Sequence, residues 1–110
     1  MDLQKLNAVL DEIYFERKRQ DEKWGEQNHP NWTSDLSGAF LIGDHEEAKN
    51  TCDSSFKRGC GSYAHILLEE FQEAMNEAIM QNNEDLRTEL IQVAAVAVAW
   101  VEKIDRDLAK

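Results

Sequence analysis

The single proline and all five glycines of this chain lie between positions 25 and 61. The stretches 1–24 and 62–110 contain neither residue. Glycine and proline are the two residues a helix tolerates worst, at about 1 and 3 kcal/mol relative to alanine. Their confinement to the middle predicts long unbroken helices on either side of a looser centre. No run of alternating apolar and polar residues bounded by turn formers is present, so no strand is expected. The expectation is an all-α helical bundle, one domain over residues 1–110, with 31–61 as a divergent loop and short-helix insertion.

The first helix is predicted from Asp2 to about Lys23, with Leu3, Leu6, Val9, Leu10 and Ile13 at helical spacing and Gly25 as its cap. Turn formers fill Glu26 to Ser34, among them Asn28, His29 and Pro30, and His29 reads as a turn residue. A shorter helix is expected from about Leu36 to Lys49, capped by Ser34 or Asp35, and Thr51 to Gly61 reads as a mobile loop. The third helix is expected from Ser62 to near Gln81, and the fourth from about Glu84 to Leu108, joined by a turn at Asn82-Asn83. So short a connection makes these two an antiparallel hairpin. The tract Val93 to Ala99 is apolar almost all round, which places the fourth helix at the centre of a bundle, with Trp100 in its core. One small chain cannot cover it, so a homodimer or homotetramer is expected.

Twelve basic against 22 acidic residues give a net charge of −10. Such a surface repels phosphate backbones, so no nucleic-acid polymer is expected as partner, and an anionic substrate needs a metal ion as bridge. The longest apolar run, Val93 to Val101, is far short of the roughly 20 residues that span a bilayer. No apolar signal core follows Met1, which points to the cytoplasm and to reduced thiols at Cys52 and Cys60. A zinc site built from Cys52, Cys60 and His45 is a weaker alternative, since its spacing fits no standard finger.

The chemistry concentrates in the last two helices. On a helical wheel Leu67, Phe71, Ala74, Met75 and Ala78 form the buried face of the third helix, within about 100°. Glu70, Glu73 and Glu77 lie on one flank of that face, whereas Glu69 falls on the solvent side. On the fourth helix Leu86, Leu90, Val93, Ala97, Trp100, Val101, Ile104 and Leu108 form the apolar face, and Asp85, Glu89 and Gln92 lie on the flank of the same sign. Folding the hairpin brings Glu73 to the level of Gln92 and Glu77 to that of Glu89. Glu70, Glu73, Glu77, Glu89 and Gln92 therefore converge on one patch. A hard divalent cation is the simplest compensation for such repulsion; a solvated acidic face is the alternative.

The run Glu69-Glu70-Phe71-Gln72-Glu73 reads as EExxE and is followed by Glu89-Leu90-Ile91-Gln92 on the next helix. With the tracts Glu16 to Pro30 and Leu90 to Trp100, these motifs resemble the MazG-like, all-alpha nucleoside triphosphate pyrophosphohydrolases of a phage and bacterial branch. The matching tracts cover about half the chain. The resemblance implies Mg²⁺-dependent cleavage of an NTP or dNTP between the alpha and beta phosphates, giving the monophosphate and pyrophosphate, in a dimer or tetramer of helical bundles. Mn²⁺ is a plausible substitute. Glu70, Glu73 and Glu89 would be metal ligands, with Glu69 as a water-orienting residue, and these four form the implied catalytic set.

One position departs from the pattern. The family's final Asp is Gln92 here, whose carbonyl oxygen still coordinates a hard cation but carries no charge; Glu77 or Asp85 could substitute. Glu102-Lys103-Ile104-Asp105 also reads as ExxD but lies on the opposite flank. Lys23, Arg19 and Arg87 are candidates for holding phosphates, and Trp24 and Trp32 for stacking on a base. The alternative function is a catalytically degenerate acidic helical protein that binds a protein partner.

Overall fold

The computed structural model describes residues 1–31, 33 and 45–110, without the side chains at 45, 47 and 48. Four helices follow in chain order: α1 Leu3–Trp24, α2 His45–Lys57, α3 Tyr63–Ile79 and α4 Asn83–Leu108. Among the described residues there is no strand, and no helix is long and apolar enough to cross a membrane. The helix expected over 36–49 lies outside the described residues up to 44, as do Trp32 and both of its expected caps.

Helix α1 begins where a side chain can serve its free amides. Asp2 Oδ1 accepts from the Gln4 and Lys5 N–H groups at 3.0 and 3.2 Å, the usual work of an N-cap carboxylate. Gly25, at φ 68°, closes the other end.

Residues 51–57, expected as loop, are helical. Burial decides this: Cys52 and Ser55 are buried and Phe56 half-buried, an i, i+3, i+4 pattern that lets α2 pack on α3. The stop signal of α2 is Gly59 at φ 74°. Its N–H donates to Phe56 O, and the Cys60 N–H donates to Ser55 O, a Schellman closure. Helix α3 closes identically: Gln81 N–H donates to Ala78 O and Asn82 N–H to Glu77 O, with Gln81 at φ 58°. Asn82 then caps α4, accepting from the Asp85 N–H.

Helices α3 and α4 form the expected antiparallel hairpin, α2 lies on α3, and α1 on α4. The segment between α1 and residue 31 is held by hydrogen bonds from α3 and α4. Tyr63 and Ala64, in the first turn of α3, donate their N–H groups to Pro30 O and Asn31 O at 2.9 and 3.1 Å. Arg106 donates to Gln27 O at 2.7 Å and to Asn28 Oδ1 at 3.0 Å. Trp100, half-buried rather than fully in the core, stacks on Tyr63 and donates to Asn31 Oδ1 at 2.7 Å.

The buried set differs from the expected faces. In α3 it is Tyr63, His65, Leu68 and Ala74, while Phe71 and Ala78 are exposed. In α4 it is Ala95, Val96 and Lys103, while Leu90, Ala97, Val101 and Leu108 are exposed. The wheel finds an apolar face but not the neighbour that meets it; here α4 turns Ala95, Val96 and the stem of Lys103 inward. Helix α1 buries only Glu16.

Candidate metal centre and adjoining cavity

Glu70 and Glu73 project from successive turns of α3, and Glu89 meets them from the first half of α4. One carboxylate oxygen of each lies within 4.8 Å of the other two. Around an octahedral Mg²⁺ at about 2.1 Å, donor oxygens stand up to roughly 4.2 Å apart, and slightly more around a larger cation. The spacing, the half-burial and the all-oxygen donor set therefore fit one hard divalent cation. Among the described residues this is the group of acidic, histidine or cysteine side chains arranged to hold a metal.

The electrostatics carry the same mark. Burial, followed by the charges of Glu73, Glu89 and Glu69, pushes the Glu70 carboxyl up to about 8. Glu89 is raised too, chiefly by burial and then by Glu73. Carboxylates gathered at this distance repel one another, and a cation among them would relieve that repulsion.

Glu69 is not on the solvent side. Its carboxylate is largely covered by α2, with Lys49 Nζ at 3.8 Å. Burial raises its carboxyl, against the hydrogen bond it shares with Cys52. The wheel could not anticipate this, because α2 was expected to end at Lys49. Glu77 lies close enough to Glu89 to raise its carboxyl, whereas Asp85 is occupied at the α4 cap with Asn82.

A cavity of about 420 Å³ opens beside Glu70, with Gln92 on the same wall. Trp24, His29, Phe56 and Tyr63 supply its aromatic lining, and Gln20, Gln27 and Asp53 its polar edges. His29 is more than a turn residue: its ring stands edge-on to Phe56 and Tyr63 at 5.1 and 5.2 Å, and burial lowers its pKa. Sequence reasoning missed Phe56 and Tyr63 as site residues; Gly59, read as a helix stop, was the signal that could have placed Phe56 on a helix.

Two of the three expected phosphate-binding cations are engaged in ion pairs. Arg87 forms a two-pronged ion pair with Glu12, bridging α4 and α1, one arm at 2.9 Å. Arg19 pairs with the buried Glu16, and Lys23 Nζ lies 4.6 Å from the centre of the Trp24 ring. The zinc alternative gains no support. The Cys52 thiol is buried, and its pKa is raised by that burial and by Glu69, the opposite of what a thiolate ligand needs. The His45 side chain lies outside the described residues. Models of known protein families, curated proteins and solved structures yield no match to this chain.

Proposed function

We propose that this protein is a Mg²⁺-dependent nucleoside triphosphate pyrophosphohydrolase, converting an NTP or dNTP to its monophosphate and pyrophosphate. The observation that carries this reading is the juxtaposition of the Glu70–Glu73–Glu89 triad with an aromatic cavity of nucleoside size. The motif resemblance to MazG-like enzymes rests on the same residues. Glu70, Glu73 and Glu89 would hold the cation, with Gln92 beside them as a neutral oxygen donor. Bound there, Mg²⁺ or Mn²⁺ supplies charge neutralisation for the phosphate oxygens and polarises the scissile anhydride. Trp24, His29, Phe56 and Tyr63 exclude water and offer faces and edges to a base. Glu69, outside the metal-holding set and one residue before Glu70, would be the carboxylate that orients the attacking water.

The test is pyrophosphate release from a panel of NTPs and dNTPs with Mg²⁺ or Mn²⁺, alongside Glu73→Gln. Turnover by the wild type and a loss of at least about a hundredfold in the variant, the scale of losing one electrostatic stabiliser, support the assignment. Turnover unchanged in Glu73→Gln removes the triad from the chemistry. No turnover with any nucleotide favours the degenerate, partner-binding alternative that Gln92 suggests.

We further propose that the active form is a homodimer or homotetramer in the cytoplasm. Its support is the apolar surface left open on α1 and α4, where Leu10, Tyr14 and Phe15 are 50, 62 and 62% exposed and Val101 is 56% exposed.

A further inference from the structure

We propose that Lys49 on α2 is the residue that holds the terminal phosphates of a polyphosphate substrate, reaching across from the cavity rim to the carboxylate triad. The inference rests on the nucleotide reading above and sets the substrate's direction within that site. Lys49 Nζ lies 3.5 Å from Asp53 Oδ2 and 3.8 Å from Glu69 Oε1. Asp53 borders the aromatic cavity, and Glu69 sits one residue before Glu70 and one helical turn before Glu73. Lys49 is therefore tied to one residue of the cavity lining and to the chain neighbour of one triad residue. A phosphate chain that runs from the cavity to the triad along the α2 side comes within reach of its ammonium.

Three features distinguish Lys49 from the other cations. Both of its contacts are longer than the 2.7–3.2 Å of a made hydrogen bond, and the side chain is 58% exposed, so it can exchange these partners for a phosphate. Arg87 and Arg19 are held by Glu12 and Glu16, and Lys23 faces the Trp24 ring. Lys49 is also under the field of the site itself: Asp53, Glu69 and Glu73 each raise its pKa, so it stays fully charged. The ammonium is a compact cation with three donors, suited to phosphate oxygens. In a chain of net charge −10, a highly anionic polyphosphate needs such a cation in addition to the metal.

The test uses the full chain with Mg²⁺ and compares wild type, Lys49→Gln and Lys49→Arg. Binding of inorganic tripolyphosphate is measured by calorimetry, binding of the unphosphorylated nucleoside in parallel, and KM and kcat for the preferred nucleotide. Lys49→Gln is expected to weaken tripolyphosphate binding and raise KM by roughly tenfold to a hundredfold, the range for loss of one charged hydrogen bond. Nucleoside binding is expected to be unchanged, kcat to fall less than KM rises, and Lys49→Arg to recover most of the loss. Unchanged tripolyphosphate affinity in Lys49→Gln overturns the proposal while leaving the nucleotide reading intact. An equal loss of nucleoside affinity assigns Lys49 a purely structural role and also overturns it. A wild type that binds neither tripolyphosphate nor any nucleotide overturns the nucleotide reading and this inference together.

Discussion

At the scale of single residues, Glu70 is a group whose protonation near neutral pH is altered by folding. Its carboxyl is raised to about 8 from an ordinary 4.5. The native protein therefore keeps a proton that the unfolded chain releases at lower pH. The resulting stability is fully present below the unfolded value of 4.5 and is lost as pH rises toward 8. Glu89 acts with the same sign. His29 acts with the opposite sign up to its unfolded value of 6.5, since burial favours its neutral form. The lowered carboxyls of Glu12 and Asp107 matter only in more acid solution. The melting temperature of the metal-free protein is expected to fall by on the order of 5 °C between about pH 5 and pH 8. Glu70→Gln, neutral and of the same shape, should flatten that fall, and the difference between the two melting profiles isolates Glu70 from His29. Identical profiles would show that Glu70 titrates normally. Addition of Mn²⁺ should raise the wild-type melting temperature most at the alkaline end, where the proton no longer competes with the cation.

At the scale of the helices, two turns of the same design end α2 and α3 with different residues. Gly59 adopts its φ of 74° at no steric cost, whereas Gln81 adopts 58° with a Cβ. Gln81→Gly is expected to stabilise the protein by about 0.5–1 kcal/mol, as relief of left-handed strain outweighs the added freedom of the unfolded chain. Chemical denaturation checks this, and a loss of stability would mean that the Gln81 side chain contributes more than its backbone costs. Gly61 is needed for a different reason. The Phe56 ring packs so close to it that an added Cβ would clash with the ring atoms. Gly61→Ala should therefore cost roughly 1–3 kcal/mol and displace Phe56 from the cavity wall. The second effect would be read as weaker nucleoside binding, and a variant as stable as wild type would contradict the packing.

At the scale of the whole molecule, the chain is more open than a compact monomer of its size. Its accessible area is 7483 Å², where a compact monomer of this mass exposes roughly 6,200 Å². Its radius of gyration is 14.9 Å, against roughly 13 Å for a compact domain of this length. Leu10, Ile13 and Tyr14 of α1 and Val98 of α4 border one open groove, which a second copy would close. Sedimentation at micromolar concentration is expected to give a mass of two or four chains. Val98→Glu, placing a charge in that groove, should shift it toward one. A wild type that sediments as a single chain would leave these faces to some other partner.

Much of the helical plan was legible in the sequence. The absence of glycine and proline from both flanks set α1, α3 and α4 to within a few residues, because backbone cost is a local property. The carboxylate cluster was legible for the same kind of reason. Glu70, Glu73 and Glu89 fall on same-signed flanks of two helices joined by a short turn, and that geometry follows from helical period and chain direction alone. Helix α2 was not legible as drawn, since Cys52, Ser55 and Phe56 hold it by packing on α3, and Asp-Ser-Ser reads locally as a turn. The same tertiary contact covers Glu69, sets Lys49 against it and adds Phe56 to the aromatic cavity. The orientation of the apolar faces also had to wait for the structure, because a helix's own pattern does not name its neighbour. Local backbone preference and periodicity thus determined which residues become helical and which carboxylates meet. Packing between segments distant in sequence decided which cation, which rings and which apolar surface stand beside them.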